Sequence, residues 1–185
     1  MKRGQVIEVD INELDFPAKG IGGLEEKKIY IKNTLPGQKV KARVKKKRKE
    51  YAECKLIEVL ERAPYEVDSF CKHFGRCGGC ARQTVPYEKQ LEIKATSVKK
   101  IIDDAGIKDY DFEGILPSPD IYEYRNKMEY SFGDEEKGGP TTLGMHKRGQ
   151  INSVVTVDEC KLVNDDFNKI LVETLDYFKE QEIPH

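Results

Sequence analysis

The side chains of this chain best suited to chemistry are three cysteines in the stretch CKHFGRCGGC, namely Cys71, Cys77 and Cys80, with Gly75, Gly78 and Gly79 threaded between them. Their fourth partner by type is Cys160, far along the sequence. Thiolates are soft ligands, and this grouping is the pattern of a thiolate-ligated metal centre. Zinc usually takes two close ligand pairs, whereas here one such pair, Cys77 and Cys80, is joined by two singles, with His73 a competing ligand and His146 a remoter one. An iron–sulfur cluster tolerates more uneven spacing, and its sulfides accept hydrogen bonds from backbone N–H groups of the kind that Gly78 and Gly79 place there. The spacing ranks an iron–sulfur centre above zinc, and zinc above buried structural thiols.

Composition bounds the setting of these residues. A chain of 185 residues holds one generous domain or two small ones, with core enough to fold without disulfides. The five cysteines are an odd number, which suits a disulfide framework poorly. No run of about 18 apolar residues offers a membrane span, and the first residues lead straight into alternating polar and apolar positions, so a cytoplasmic protein is expected. The formal net charge of -1 conceals an asymmetry. Up to residue 100 there are 23 Lys and Arg against 14 Asp and Glu, and beyond it 9 against 19, so a basic module is joined to an acidic one.

The basic module, residues 1–62, reads as short strands separated by turns. Gln5 to Leu14 mostly alternates, Gly20, Gly22 and Gly23 suggest a turn or a tight bend, Ile29 to Ile31 is a short run, and Pro36-Gly37 marks a turn. In the next strand Val40, Ala42 and Val44 alternate with Lys39, Lys41, Arg43 and Lys45, which puts small apolar groups inward and cations outward. Lys46, Lys47, Arg48 and Lys49 carry the charge into an expected hairpin loop. In the last strand, Tyr51 to Leu60, the apolar phase changes at Leu56-Ile57, as a bulge produces. The sum is a small OB-like barrel, with Cys54 in its core. Eight of the eleven residues from Lys39 to Lys49 are basic, and on a barrel of this type they read as a phosphate-binding surface.

Residues 63–185 read as an α+β domain with an antiparallel sheet. Apolar residues spaced by three and four from Tyr87 to Ala105, after Pro86 and before Gly106, predict an amphipathic helix. Tyr124 to Phe132, Thr141 to His146 and Ile151 to Val157 are the expected strands. Asn164 as N-cap, with Asp165 and Asp166 in the first turn, opens a last helix that runs almost to Pro184-His185.

With these elements in order, the chain resembles a known family. A basic barrel of the TRAM type is followed by C-x(5)-C-x(2)-C and by a helix opening Val85-Pro86-Tyr87 with Gln90-Leu91 and Lys94. Then come Tyr124-Arg125-Asn126-Lys127, the run Leu143 to Gly149, and Val157 to Cys160. Together they look like the N-terminal half of the bacterial 23S ribosomal RNA (uracil-5-)-methyltransferases. The resemblance implies a 4Fe-4S cluster on Cys71, Cys77, Cys80 and Cys160, and recognition of RNA, most naturally 23S rRNA, by a monomer with no membrane association. It places Lys39, Lys41, Arg43, Lys45, Lys46, Lys47, Arg48 and Lys49 on phosphates. Arg125, Lys127, His146, Lys147 and Arg148 would face RNA from the second domain, and His73 and Phe74 are candidates to stack on a splayed base.

The family's S-adenosylmethionine is bound by a C-terminal Rossmann-like domain, where a cysteine attacks carbon 6 of the uracil. Here no G-x-G-x-x-G follows a strand, and Cys54 reads as core and not as a spare nucleophile. The expectation is therefore a recognition half, catalytically inactive by itself. Two readings from other classes stay open on the residues alone: a freestanding iron–sulfur redox or sensor protein, and a zinc-stabilised RNA-binding adaptor.

Overall fold

The structure is a computed structural model that describes residues 1–15 and 19–183. It divides into two units, one formed by Met1–Glu66 with Val85–Leu116, the other by Val67–Thr84 with Pro117–His185. This differs from a simple split at residue 62. Helix α1 (Tyr87–Asp104) groups with the barrel, and the cysteine stretch before it groups with the residues after 116.

In the first unit, β1 (Val6–Asp15), β2 (Lys19–Leu24), β3 (Lys27–Lys32), β4 (Lys39–Lys47) and β5 (Tyr51–Glu61) close into a barrel in the order β1-β2-β3-β5-β4. Every pairing is antiparallel except that of β3 with β5. The alternation in β4 appears as expected, with Val40, Ala42 and Val44 at most 1% exposed and joined in the core by Ile11, Ile29 and Ile31. Each such isoleucine contributes on the order of 1.5–3 kcal/mol through burial. The phase change in β5 is a bulge: Lys41 faces Glu58 while Ala42 faces Leu56, so Ile57 is the extra residue.

The glycines of β2 are not a bend. They form a strand, and the turn lies after it at Glu25-Glu26, both at positive φ (50° and 61°), the type I′ geometry that matches strand twist. The expected loop at Lys46–Lys49 is likewise shorter, because Lys46 and Lys47 lie within β4. Helix α1 begins after Pro86 and stops at Ala105, followed by Gly106 at φ +82°.

In the second unit β6 (Ser131–Asp134), β7 (Thr141–His146) and β8 (Val154–Thr156) make an antiparallel sheet with β7 central. The expected strand from Tyr124 is not formed before Ser131. Its backbone bonds instead to the segment before the last helix, Glu123 N–H to the Lys161 carbonyl at 3.0 Å and Arg125 N–H to that of Leu162 at 2.9 Å. That makes an isolated bridge and no ladder. Helix α2 (Asp165–Glu180) starts as the sequence predicts, with Asn164 Oδ1 accepting from Asp166 N–H at 3.0 Å. It buries Asn168, Leu171 and Leu175, the two leucines packing with Leu143 and Val157. Its expected end near Pro184-His185 lies outside the described residues; the helix itself stops at Glu180.

Backbone closeness at β7 yields a first prediction. A Cβ on Gly144 would lie 2.1 Å from the Val155 carbonyl oxygen and 2.8 Å from the Val157 nitrogen. Gly144→Ala is expected to lower the urea midpoint strongly, by roughly 3 kcal/mol or more in stability, since only backbone movement relieves the clash.

Candidate functional site

The loop carrying Cys71, Cys77 and Cys80 is built as an extension of the sheet. Within it the Cys77 N–H bonds the His73 carbonyl at 2.9 Å, and Gly75 takes φ +90°. Outside it, Gly78 N–H donates to the His146 carbonyl (2.9 Å) and Arg148 N–H to the Arg76 carbonyl (2.7 Å), docking the loop beside the end of β7. A Cβ at Gly78 would sit 2.9 Å from that same His146 oxygen, so the close approach needs glycine.

Side chains reinforce the docking. Glu135 holds Arg76 at 2.6 Å and Lys147 at 3.1 Å. Arg148 donates to the Cys80 carbonyl, and its guanidinium carbon lies 5.2 Å from the centre of the Phe74 ring. Hydrogen bonds from Arg76 and Lys147 keep the Glu135 carboxyl below its ordinary range. A carboxylate with a depressed folded-state pKa stabilises the fold above the unfolded value and loses that contribution as pH falls through the folded one. Urea midpoints measured from pH 7 down to pH 3 should therefore fall more for the parent chain than for Glu135→Gln. The difference should stay under about 1 kcal/mol, because the pair is partly exposed.

The fourth cysteine is held by a residue that sequence reading missed. Asn168, buried on the inner face of α2, accepts from Cys160 N–H at 2.7 Å and donates from Nδ2 to the Cys160 carbonyl at 3.1 Å. The signal was available: 168, 171 and 175 share a helix face, and a polar amide among leucines requires a polar partner.

All four cysteines line one cavity of about 60 Å³, together with Met128, Met145 and Arg125 among others. All are free thiols. Burial pushes the Cys77 thiol up, a Gly79 N–H at 3.3 Å pulls it back, and the neighbouring Cys71 and Cys160 raise it again. Cys80 is raised by burial, lowered by Gln83 and raised by the other three thiols. Of the two glycines, Gly79 donates its N–H to Cys77 Sγ, a protein thiol, and Gly78 donates to the His146 carbonyl.

Among the described residues, no three His, Cys, Asp or Glu side chains converge tightly enough to hold one metal ion. Four thiols around one cavity suit a cluster better, since each iron of a cubane takes a single thiolate and the ligands need not share one coordination sphere. Tyr130 points the same way. It packs on the same core cluster as Cys77 and Cys160, its hydroxyl is buried without a partner among the described residues, and burial pushes its pKa up to about 12. An unpartnered buried donor near two of these thiols is the kind of group that an inorganic sulfide would satisfy. The residues fit the group.

The candidate RNA contacts fare unevenly. His73 is buried, with Nε2 at 2.9 Å from Asp158 Oδ1 and Nδ1 at 3.8 Å from Cys71 Sγ, so its ring offers no face to a base. Phe74 is already covered on one side by Arg148. Lys147 is tied to Glu135, and Arg125 lines the cysteine cavity. Lys127 is exposed in an ion pair with Glu129 at 3.0 Å, and His146 is exposed at the end of β7.

On the barrel, cross-strand acids divide the basic run. Lys39 stands between Asp10 and Glu61, and Lys41 between Glu8 and Glu58. Arg43, by contrast, faces Val6 and Lys55. Arg43, Lys45, Lys47, Arg48 and Lys49 are exposed, and Lys46 is 4.0 Å from Glu53. Positive charge therefore concentrates at one end of β4.

Comparison with known proteins identifies the barrel. Residues 1–57 match the TRAM domain. The TRAM domain and everything after it align with proteins named as uncharacterized RNA methyltransferases. One from Clostridium tetani is 48% identical over 185 residues, covering 100% of this chain and 41% of its own length. One from Caldanaerobacter subterraneus subsp. tengcongensis is 45% identical over 184 residues, again covering 100% of this chain and 41% of the relative. The chain thus spans about two-fifths of the length of the curated relatives it matches. The crystal structure of Pyrococcus abyssi tRNA (uracil-54, C5)-methyltransferase in complex with S-adenosyl-L-homocysteine superposes with TM-score 0.64 at 22% identity. It covers 95% of this chain and 37% of that one, and shows a shared fold. The resemblance drawn from the sequence thus stands at the level of a TRAM domain in this chain and relatives named RNA methyltransferases. No helix among the described residues is long and apolar enough to cross a membrane.

Proposed function

We propose that this chain is the RNA-recognition part of an S-adenosylmethionine-dependent methyltransferase that acts on carbon 5 of a uridine, with 23S rRNA as its substrate. It would work in the cytoplasm as a monomer. The observation that carries the reading is the alignment of this whole chain with part of proteins named RNA methyltransferases, combined with a TRAM barrel whose cations gather at one end. In this reading Arg43 and Lys45 to Lys49 hold phosphates, with Lys39 and Lys41 contributing less because acids flank them. Cys71, Cys77, Cys80 and Cys160 hold a 4Fe-4S cluster, which braces the loop before α1 against the segment before α2. S-adenosylmethionine belongs to the remaining part of the parent protein, and the 185-residue chain alone transfers no methyl group. Cys54 does not substitute as nucleophile: it is buried in the barrel, where burial pushes its thiol up to about 11.

A salt titration tests the reading. Affinity for a uridine-bearing hairpin of 23S rRNA should fall steeply as salt rises, with a slope of roughly -0.7 to -0.9 per phosphate neutralised. The slope should flatten when Lys45 to Lys49 are replaced by glutamine. Binding that ignores salt, or its absence, would sink the RNA role. Preference for a tRNA arm over the rRNA hairpin would overturn only the substrate class.

A further inference from the structure

The outer wall of the barrel carries a feature that phosphate binding does not use. In β3, Lys28, Tyr30 and Lys32 point outward while Ile29 and Ile31 are fully buried, and in β5, Tyr51, Glu53 and Lys55 point outward while Ala52 is fully buried. The two strands run parallel with Lys28 beside Tyr51 and Tyr30 beside Glu53. Tyr30 and Tyr51 therefore meet on the surface, their ring centroids 5.8 Å apart and their planes at 89°. In a T-shaped pair, the ring presenting its edge keeps both of its faces clear of its neighbour. Neither ring belongs to the barrel core, and both are partly exposed.

The surroundings are cationic. Lys28 stands beside Tyr51, Lys55 follows on the same face of β5, and Arg43 faces Lys55 from β4. Glu53, on the same face of β5, is approached by Lys46 at 4.0 Å. An exposed aromatic pair bordered by cations is the arrangement that binds single-stranded nucleic acid, since every base has a π-face and every linkage a charge. A duplex hides its bases in the stack and engages only the cations.

We infer that Tyr30 and Tyr51 form a stacking platform for one or two unpaired nucleobases, with Arg43, Lys28 and Lys55 on the flanking phosphates. The inference rests on the RNA-binding reading of the barrel and narrows it to single-stranded segments such as loops or bulges.

The test uses the 185-residue chain, a labelled oligouridylate about ten nucleotides long and a duplex of equal length, each titrated at several salt concentrations. The parent chain should prefer the single strand. Tyr30→Leu and Tyr51→Leu should each weaken single-strand binding roughly tenfold, leave the salt slope unchanged and barely affect the duplex. Tyr51→Phe should keep parent affinity, because the ring and not the hydroxyl does the stacking. Arg43→Gln should act oppositely, reducing the slope for both forms. Leucine variants that melt with the parent and bind the single strand within about twofold of it overturn the platform while the RNA reading survives. Should those variants fail to fold, the parent's own preference decides: equal binding of strand and duplex overturns the platform. No salt-dependent binding of either form removes the RNA reading, and the platform with it.

Discussion

Cys160→Ser is expected to turn a brown, anaerobically purified protein colourless, with iron falling from about four per chain to near zero. The four thiols line one cavity, and Cys160 is the one brought from furthest away in the sequence. A serine oxygen is a harder, less acidic ligand than a thiolate and holds iron poorly beside sulfides. The backbone at this position stays fixed in the variant, because Asn168 bonds the amide and carbonyl of residue 160 and not its side chain. The loss should therefore reflect the missing ligand and not a collapsed α2. Cys54→Ser, altering a thiol in the barrel core, should retain full iron. One zinc per chain and a colourless parent protein would replace the cluster with the zinc reading, and iron retained by Cys160→Ser would remove Cys160 from the ligand set.

The second large effect separates two adjacent glycines. Gly22 faces inward in β2, where a Cβ would stand 2.3 Å from the Asp10 carbonyl oxygen and 2.6 Å from Val9 Cγ2. Gly23 faces outward with nothing within 4 Å of its Cβ position. Gly22→Ala is expected to cost on the order of 3–5 kcal/mol, because β1 cannot withdraw without opening its ladder to β4 as well. Gly23→Ala should be neutral or slightly stabilising, as alanine narrows the unfolded ensemble where no positive φ is required. Urea denaturation followed by far-UV circular dichroism compares the two. Equal midpoints would mean that β1 and β2 do not approach as closely as described.

The same residues show where sequence reading ends. The β4 alternation, the β5 bulge and the Asn164 cap were legible because each is written locally, as a period of two, a break in phase or a side chain beside an exposed amide. Gly20, Gly22 and Gly23 were misread as a bend. The absent side chains of Gly20 and Gly22 answer Ile11 and Thr34, and Val9 and Asp10, on neighbouring segments that no local pattern names, while Gly23 faces open space. Tyr124 to Tyr130 alternates well enough for a strand, yet alternation records a two-faced surface and not the presence of a neighbouring ladder. At the candidate site the ligand types were plain from spacing. The supports were not: Glu135 reaching Arg76 and Lys147, and Asn168 reaching Cys160, depend on contacts across 8 to 59 positions.

The grip of Asn168 on Cys160 bears on how a cofactor would be gained and lost. A loop that only metal can close begins as open chain, and its assembly waits on the ion. Here the distant thiol is already stationed by an amide, and the nearer three by the bonds from Gly78, Arg76 and Arg148. The main chain that carries the four thiols is thus tied by the protein's own hydrogen bonds as well as by whatever the thiols would bind. A cluster held there would then be one of two fastenings on that segment, and not the sole one.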